Sequence, residues 1–372
     1  MFMNQVSINF IINTRTPFAE PERARHQVAY ALTKYGNVLF IEANKIGFFK
    51  SKLSKVSHNI NVLTYYFPLS YRYRFRIPIV NELYQFLLLT RIRKFLIKTG
   101  ELYIINFDHT AHIISSNLPN SIYYCNDDHI RTYGIPLLKY YFLWTEVKVT
   151  RTSMFTITTT KYLYEKLKKL NNTYLIPLGG PNPLENYTKK QNNKVKVALI
   201  GFISRKRIDI SVLLKLLNDD SFEVHVWGNI KSDLHNELLS FKNFFYNGIV
   251  IGNELLKEIS KCDVGIALYN VNDVNKGGSP NKLYQYMAAG LPVVITEIPS
   301  ITEIDFPNHV FVSKQDNSDF KELIIESLNF NSEKYILERL QIAYLNSWDS
   351  RIIKLLEIIK EFSPPHPTTQ SG

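Results

Sequence analysis

Residues 277–294 read GGSPNKLYQYMAAGLPVV, and this stretch decides the fold. A glycine-rich loop leads into a helix that we expect to begin at Ser279 and Pro280, because serine caps helices and proline fits their first turn. The helix is predicted to end at Gly290, and Pro292 introduces an apolar strand. A loop, a helix and a buried strand in this order are typical of a parallel α/β sheet.

The first turn of this helix predicts an anion site. Glycines allow a ligand to approach the backbone, and the N–H groups at the start of a helix attract phosphate. Lys282 adds a full positive charge, and Gln285 lies on the same helix face, where it can reach a hydroxyl group. Ser279, Pro280, Asn281, Lys282 and Gln285 are therefore the predicted contacts of a phosphate-bearing ligand. An ordinary amphipathic helix after a glycine-rich turn is the alternative, but it gives residues 279–282 no role.

Outward from this stretch, apolar runs of strand length alternate with helical patterns. This alternation predicts βαβ units and parallel sheets. The expected strands are 8–13, 38–42, 102–107, 122–125 and 155–159, then 195–200, 223–227, 264–268, 293–296 and 310–312.

A polar break rich in proline and glycine divides the pattern. We expect a first domain at 1–180, a linker at 181–194, a second domain at 195–362 that ends in closing helices, and a disordered tail at 363–372. At 372 residues, two domains are the first expectation. Two doubly wound domains would face each other across a cleft and bind ligands at the carboxyl ends of their strands.

Positive charge is concentrated in the first half of the chain. Residues 1–180 carry 23 Lys and Arg against 10 Asp and Glu, whereas the remainder carries 21 against 23. This asymmetry favours an anionic partner, either a membrane surface or a phosphate-bearing acceptor. A compositional bias of the whole chain is the alternative.

The segment 71–76 alternates aromatic residues with Arg72, Arg74 and Arg76, and an apolar helix with interleaved basic residues follows at 81–98. This combination suits an anionic leaflet, although a packed helix with basic ends remains an alternative. His109 is a further candidate for acceptor or membrane contact. No nucleic-acid motif accompanies the basic residues, so we expect no nucleic-acid partner.

The remaining composition narrows the class of protein. The chain has two cysteines, no signal-peptide pattern and no apolar stretch of bilayer length. We therefore expect a cytoplasmic protein, at most peripheral at the inner face of the plasma membrane. His109 and His112 have no third ligand at metal spacing, so no metal site is predicted.

At residues 277–294 the chain resembles GT-B glycosyltransferases, in particular the bacterial polysaccharide and teichuronic-acid transferases. In that group a Pro-x-Lys-x-x-Glu-Tyr-x-Ala-x-Gly-x-Pro-Val-Val helix binds the nucleoside diphosphate. Residues 23–42, 123–128, 156–179 and 197–206 are similar to other elements of the group. The resemblance implies an α/β protein of the GT-B class, with two Rossmann-like domains. It implies that residues 1–180 form the acceptor-binding domain and residues 195–362 the donor-binding domain.

One departure from the group concerns the mechanism. Many retaining members carry two glutamates separated by seven residues, and the corresponding positions here are Gly277 and Gln285. The Lys-x-x-Gln-Tyr version is similar to xanthan-type glucuronosyltransferases, which invert configuration. Nucleotide binding is still expected, while the choice between inversion and retention stays open.

The strand at 195–200 matches the opening strand of the donor domain in that group. Gly201 and the basic run Arg205, Lys206 and Arg207 would contact the pyrophosphate there, and a solvated surface turn is the alternative for the basic run. Trp227 and Ile249 lie at the ends of later strands, where the base and ribose would lie, and simple packing at a strand end is the alternative.

The strand at 122–125 runs into two acidic residues, which places carboxylates at the edge of the first domain. Paired acids beside an apolar strand tend to raise one pKa, which suits a general base. We prefer Asp128 slightly to Asp127 for this role. A helix cap or a solvated turn is the alternative.

The expected activity is transfer of a sugar from a nucleoside diphosphate donor, with a UDP-sugar favoured, to a hydroxyl of a glycan or polyprenyl-diphosphate-linked acceptor. No cofactor is expected. The alternatives are a sugar-nucleotide 2-epimerase of the same fold and a non-catalytic sugar-nucleotide-binding partner of another transferase.

Overall fold

The computed structural model describes residues 9–20, 22–96, 102–128, 130, 136–185, 192–270, 281–299, 301 and 304–362. The chain divides into two compact units. The first comprises residues 1–178 together with 351–372, and the second comprises residues 179–350.

The first unit contains a largely parallel sheet of nine described strands, in the order β3-β5-β2-β1-β6-β7-β8-β9 with β4 antiparallel to β5. The strands are β1 (Asn9–Asn13), β2 (Val38–Ile41), β3 (Lys45–Ile46), β4 (Ser51–Ser57), β5 (Ile60–Phe67), β6 (Leu102–Asn106), β7 (Ser121–Cys125), β8 (Phe155–Thr158) and β9 (Thr173–Leu175). The helices are α1 (Ala24–Leu32), α2 (Tyr71–Arg74), α3 (Pro78–Leu96), α4 (His112–Asn117), α5 (Pro136–Thr152) and α6 (Lys161–Leu167).

The second unit contains six parallel strands in the order β12-β11-β10-β13-β14-β15. Its strands are β10 (Val195–Ile200), β11 (Phe222–Trp227), β12 (Phe244–Tyr246), β13 (Val264–Ala267), β14 (Val293–Thr296) and β15 (Val310–Ser313). Its helices are α7 (Ile210–Leu217), α8 (Ser232–Leu238), α9 (Gly252–Ile259), α10 (Asn281–Ala288), α11 (Phe320–Ser327) and α12 (Glu333–Leu345).

The strand order of the second unit is that of a doubly wound fold. Two apolar clusters pack on opposite faces of the sheet, one around Leu199 and Val226 and the other around Ile200 and Met287. The order reverses between β10 and β13, and ligands bind doubly wound sheets at the carboxyl ends of the strands at such a point. Gly201 follows β10 directly, so it lies at this edge.

The strands predicted from the sequence are present, and their bounds differ from the predicted ones by at most one residue. The hairpin of β4 and β5 was not predicted, and neither were the short strands β3, β9 and β12. The predicted closing helices are α12 and α13 (Trp348–Phe362). The predicted tail at 363–372 lies outside the described residues.

The assignment of the last helix to the donor-binding domain is wrong. From Arg351 onward, α13 belongs to the first unit. Its last residue, Phe362, packs with its ring centroid 5.0 Å from that of Phe155 and 6.3 Å from that of Tyr174, which lie on β8 and β9. These aromatic contacts hold the end of α13 on the sheet of the first unit.

Candidate functional site

A lysine lies against the backbone at the carboxyl end of β10. Gly201 has φ of +111°, a conformation that side chains rarely adopt. A Cβ at this position would lie 2.9 Å from Cε and 3.1 Å from Nζ of Lys282, in the first turn of α10. The absence of a side chain therefore lets the lysine ammonium approach the edge where the strand order reverses.

Tyr286 holds α10 in this position. Its hydroxyl donates a hydrogen bond to the carbonyl of Ile266 over 2.8 Å and accepts one from the N–H of Ile200 over 3.0 Å. A Cβ on Gly265 would lie only 2.2 Å from the tyrosine ring, so β13 leaves room for that ring. Because Ile200 precedes Gly201, one hydroxyl positions both the helix and the turn beside the lysine.

The electrostatics of this edge favour an anion. Burial of the Lys282 ammonium lowers its pKa to about 8, and the charge of Arg207 contributes further. The aromatic face of Tyr269 lies 5.5 Å from the lysine Nζ, a weaker partner than a carboxylate. A phosphate at this edge would stabilise the charged lysine.

The loop after β10 contains the predicted cations Arg205 and Lys206, both exposed. Arg205 pairs with Glu237 on α8. The cation whose charge acts on Lys282 is instead Arg207, the third member of the basic run. Asn270, after β13, ties the loop down with Nδ2 hydrogen bonds to the carbonyls of Arg205, at 2.7 Å, and of Ile208, at 2.9 Å.

The other predicted donor contacts are spread over this unit. Asn281 is exposed at the start of α10, and Gln285 is half-buried one turn later. Ile249 is exposed in the turn after β12. Ser279 and Pro280 lie outside the described residues.

Trp227 requires a correction, because its side chain is 3% exposed and belongs to the apolar cluster that packs against α10. Its ring is therefore not presented at the surface for a donor base. Gly228, the next residue, has φ of +126° and donates its N–H to the carbonyl of Gly248 over 2.7 Å.

In the first unit, the two predicted carboxylates have different environments. Both carboxylate oxygens of Asp128 are engaged: Lys166 Nζ lies 3.1 Å from Oδ1, and the hydroxyl of Tyr162 lies 2.9 Å from Oδ2. Lys166 also contacts Oε2 of the buried Glu146 at 2.8 Å. Burial alone would lower the pKa of Lys166, but the two carboxylates outweigh it and raise that pKa. Asp128 is thus held in an ion-pair network.

Asp127 is exposed, whereas Asp128 is half-buried. Neighbouring atoms remove enough water to raise its pKa, and the negative charge of Asp128 raises it further. The expectation that one of the pair has a raised pKa is met at Asp127. The geometry therefore reverses the slight preference for Asp128 as the base.

Two of the four residues predicted to contact an acceptor or membrane are buried. Arg74 is 2% exposed, and His109 is fully buried with its ring edge-on to Phe142 at 5.4 Å. Their assignment to a membrane surface is wrong, because hydrogen bonds and packing hold them inside the unit. Arg72 and Arg76 are exposed.

Two features, a cluster of metal ligands and a membrane-spanning helix, are absent from the described residues. No group of three or more His, Cys, Asp or Glu side chains in this part of the chain could hold a metal ion. Among the helices described, none has the length and apolar character needed to cross a bilayer.

The part of the chain that contains Gly201 and Lys282 matches a known protein family. Residues 194–329 match the family model described as Glycosyl transferases group 1. This stretch is therefore similar to the group 1 glycosyl transferases. The matched range contains Gly201, Arg207, Lys282 and Tyr286, so the edge described above lies wholly within it.

A relative of this chain in Bacillus subtilis is also named as a glycosyltransferase. The chain is 30% identical over 115 residues to a protein of Bacillus subtilis (strain 168) named as the teichuronic acid biosynthesis glycosyltransferase TuaH. The aligned stretch covers 30% of this chain and 29% of that relative, so the chain matches under a third of its length.

Solved structures show the same fold over nearly the whole chain. Anabaena Alr3699/HepE in complex with UDP has a TM-score of 0.67 at 12% identity, covering 96% of this chain and 100% of that one. The E. coli trehalose-6-phosphate structure with UDP-2-fluoro glucose has a TM-score of 0.66 at 11% identity, with 96% and 100% covered. The lipopolysaccharide outer core galactosyltransferase WaaB has a TM-score of 0.62 at 10% identity, with 95% and 100% covered. The fold is therefore GT-B, as the sequence predicts.

Proposed function

We propose that this protein transfers a sugar from a nucleoside diphosphate donor, with a UDP-sugar favoured, to a hydroxyl of a glycan or lipid-linked acceptor in bacterial surface polysaccharide synthesis. The observation that carries the proposal is the close approach of the Lys282 ammonium to Gly201, at the point where the strand order of the second unit reverses. Both residues lie within the range that matches the group 1 model. UDP in the HepE structure and the name of the TuaH relative support the donor class and the pathway class.

In this proposal the second unit holds the donor. Lys282 and Arg207 neutralise the diphosphate, backbone N–H groups at the start of α10 contact its oxygens, and Gln285 reaches a ribose or sugar hydroxyl. These cations stabilise the negative charge that develops as the bond between the anomeric carbon and the diphosphate breaks. The mechanism assigns no step to a metal ion.

The first unit supplies the base for an inverting reaction. The acceptor hydroxyl gives its proton to the Asp127 carboxylate as its oxygen attacks the anomeric carbon, and the diphosphate leaves with the electron pair of the broken bond. A raised pKa makes Asp127 a better proton acceptor. Asp128, paired with Lys166, keeps a negative charge beside it.

The experiment that tests the proposal is incubation of the purified protein with UDP-sugars, with and without a lipid-linked acceptor. Transfer, or slow donor hydrolysis that Lys282→Ala abolishes, supports it. Interconversion of sugar nucleotides without an acceptor indicates a 2-epimerase instead. Binding of UDP-sugars with neither reaction indicates a non-catalytic partner.

We infer in addition that the first unit meets the inner face of an anionic membrane. Between Glu42 and Glu82 the chain has seven Lys and Arg and no acidic residue. Within this range, the basic segment (residues 45–57) is exposed along nearly all of β4. Its large apolar side chains are exposed too, with Phe48 at 79%. Apolar side chains among lysines suit the boundary between headgroups and acyl chains.

Helix α3 extends the same surface. Nη2 of Arg91 donates a hydrogen bond over 3.3 Å to the carbonyl of Phe49, which links the basic segment to this helix. Ile79, Leu83 and Phe86 form an exposed apolar stripe at helical spacing on α3. Arg72 and Arg76 lie in the segment that joins β5 to this helix.

Vesicle flotation tests the membrane contact. Phe48→Asp should reduce binding to phosphatidylglycerol vesicles, and high salt should weaken the binding of the unaltered protein. Leu337→Asp, which also charges an exposed leucine but in the second unit, should float like the unaltered protein. Equal flotation of all three proteins contradicts the inference.

A further inference from the structure

A cluster of positive charge is buried in the first unit. The guanidinium of Arg74, 2% exposed, donates from Nε to Oδ1 of Asn44 over 3.0 Å and from Nη1 to Oδ1 of Asn81. The ring of Tyr84 lies 3.7 Å from its Cζ. These hydrogen-bonding and ring partners are neutral, so they solvate the guanidinium without cancelling its charge.

A second guanidinium group, that of Arg15, acts electrostatically on Arg74. Arg15 follows β1, and its Nε is 3.3 Å from Oδ1 of Asp108, which follows the neighbouring strand β6. Its Cζ lies 4.8 Å from the ring centroid of Phe75. The side chain is 13% exposed, and Nη1 is buried without a hydrogen-bond partner in the described part of the chain.

The two guanidinium groups share the charge of one carboxylate. Asp108 acts electrostatically on Arg74 as well as on Arg15, and its Oδ1 also accepts hydrogen bonds from the N–H and hydroxyl of Thr110. Glu42, the next carboxylate of this region, accepts from Thr64 and pairs with Lys45 at 3.7 Å. The group of Arg15, Arg74 and Asp108 thus carries an excess positive charge, which is costly to bury.

We propose that Arg15 binds a phosphate or diphosphate group of the acceptor, and that the positive charge of the more deeply buried Arg74 strengthens the attraction. The site lies at the carboxyl ends of β1 and β6, adjacent parallel strands at the edge where such sheets bind ligands. An anion at Nη1 satisfies the buried N–H group and balances the charge. Phe75 forms an apolar wall beside it. This inference rests on the proposed function, because it assigns the donor diphosphate to the second unit.

Calorimetry with inorganic pyrophosphate tests the site. The titration uses protein that already carries Lys282→Ala, so that the donor site does not compete. Arg15→Gln should weaken binding by about tenfold or more, because a charge-assisted hydrogen bond is lost. Arg151→Gln is the matched control: it removes an exposed arginine of the same unit, at the end of α5, and should leave the affinity unchanged.

Asp108→Asn separates a binding role from a structural one. The amide can still accept the Thr110 hydrogen bonds, while the negative charge is gone. The proposal predicts tighter pyrophosphate binding in this variant. A purely structural Arg15–Asp108 pair predicts a lower melting temperature and no gain in affinity, and that result overturns the proposal even if Arg15→Gln fails to fold.

Farnesyl diphosphate, titrated in parallel, identifies the source of the anion. Tighter binding than pyrophosphate assigns the site to a lipid-linked diphosphate, and equal binding assigns it to the bare diphosphate. If UDP-sugar transfer is absent but Arg15-dependent pyrophosphate binding persists, the proposed function fails and the anion site stands. If neither Arg15→Gln nor Asp108→Asn changes the affinity, the anion site fails whatever the activity.

Discussion

Replacing Lys282 by methionine should stabilise the second unit and abolish nucleotide binding. The pKa of Lys282 falls from an ordinary 10.5 to about 8, which means that the folded protein disfavours the charged form. A shift of this size corresponds to about 3 kcal/mol. Because the side chain is half-buried and solvent screens part of the penalty, we expect Lys282→Met to raise the free energy of unfolding at pH 7 by roughly 1–3 kcal/mol.

The pH dependence of stability tests independently whether the charged Lys282 destabilises the folded protein. Below pH 8 the lysine is protonated in both the folded and the unfolded states, so the full penalty is present. Between about pH 8 and pH 10.5 the unfolded chain holds a proton that the folded protein has released, and the stability of the unaltered protein therefore rises with pH. The stability difference between the variant and the unaltered protein should be largest below pH 8 and vanish above pH 10.5.

Urea denaturation at pH 7 and pH 10, followed by tryptophan fluorescence, measures the stability difference, and calorimetry measures UDP affinity. Lys257→Met, which removes an exposed lysine of α9, should change stability by less than about 0.5 kcal/mol. UDP affinity of the unaltered protein should fall above pH 8 as the ammonium loses its proton. A Lys282→Met variant that is less stable at pH 7, or that still binds UDP, refutes the reasoning.

Three further perturbations test the same structure. Gly201→Ala should weaken UDP binding by about tenfold, since the methyl group meets the lysine ammonium. Gly248→Ala also places a side chain at a positive φ, here +72° and in open space, and should bind UDP normally in the same calorimetric titration. Tyr286→Phe should lower the free energy of unfolding in urea by about 1–3 kcal/mol, because a buried N–H and a buried carbonyl lose their partner. Asp127→Asn should reduce kcat while sparing UDP binding, whereas Asp128→Asn should lower the melting temperature; the opposite pattern would restore Asp128 as the base.

Local sequence patterns were sufficient for much of the fold. The strands at 195–200 and 293–296 and the helix that contains Lys282 could be predicted, because apolar periodicity and capping residues act over a few neighbours. The basic run at 205–207 was visible as well. Which of its members acts on Lys282 was not, since that depends on how Asn270 ties the loop down.

The burial of Arg74 and the pairing of Asp128 could not be predicted, because both depend on residues far apart in the chain. Arg74 looked like a surface cation in the sequence, yet Asn44 and Asn81 draw it into the interior. Asp128 is paired by Lys166, which lies 38 residues further along. The sequence determined which chemical groups this protein has and roughly where strands and helices carry them. Their charge states and exposure were set by long-range packing, because burial and ion pairing act through space and leave no periodic signal in the chain.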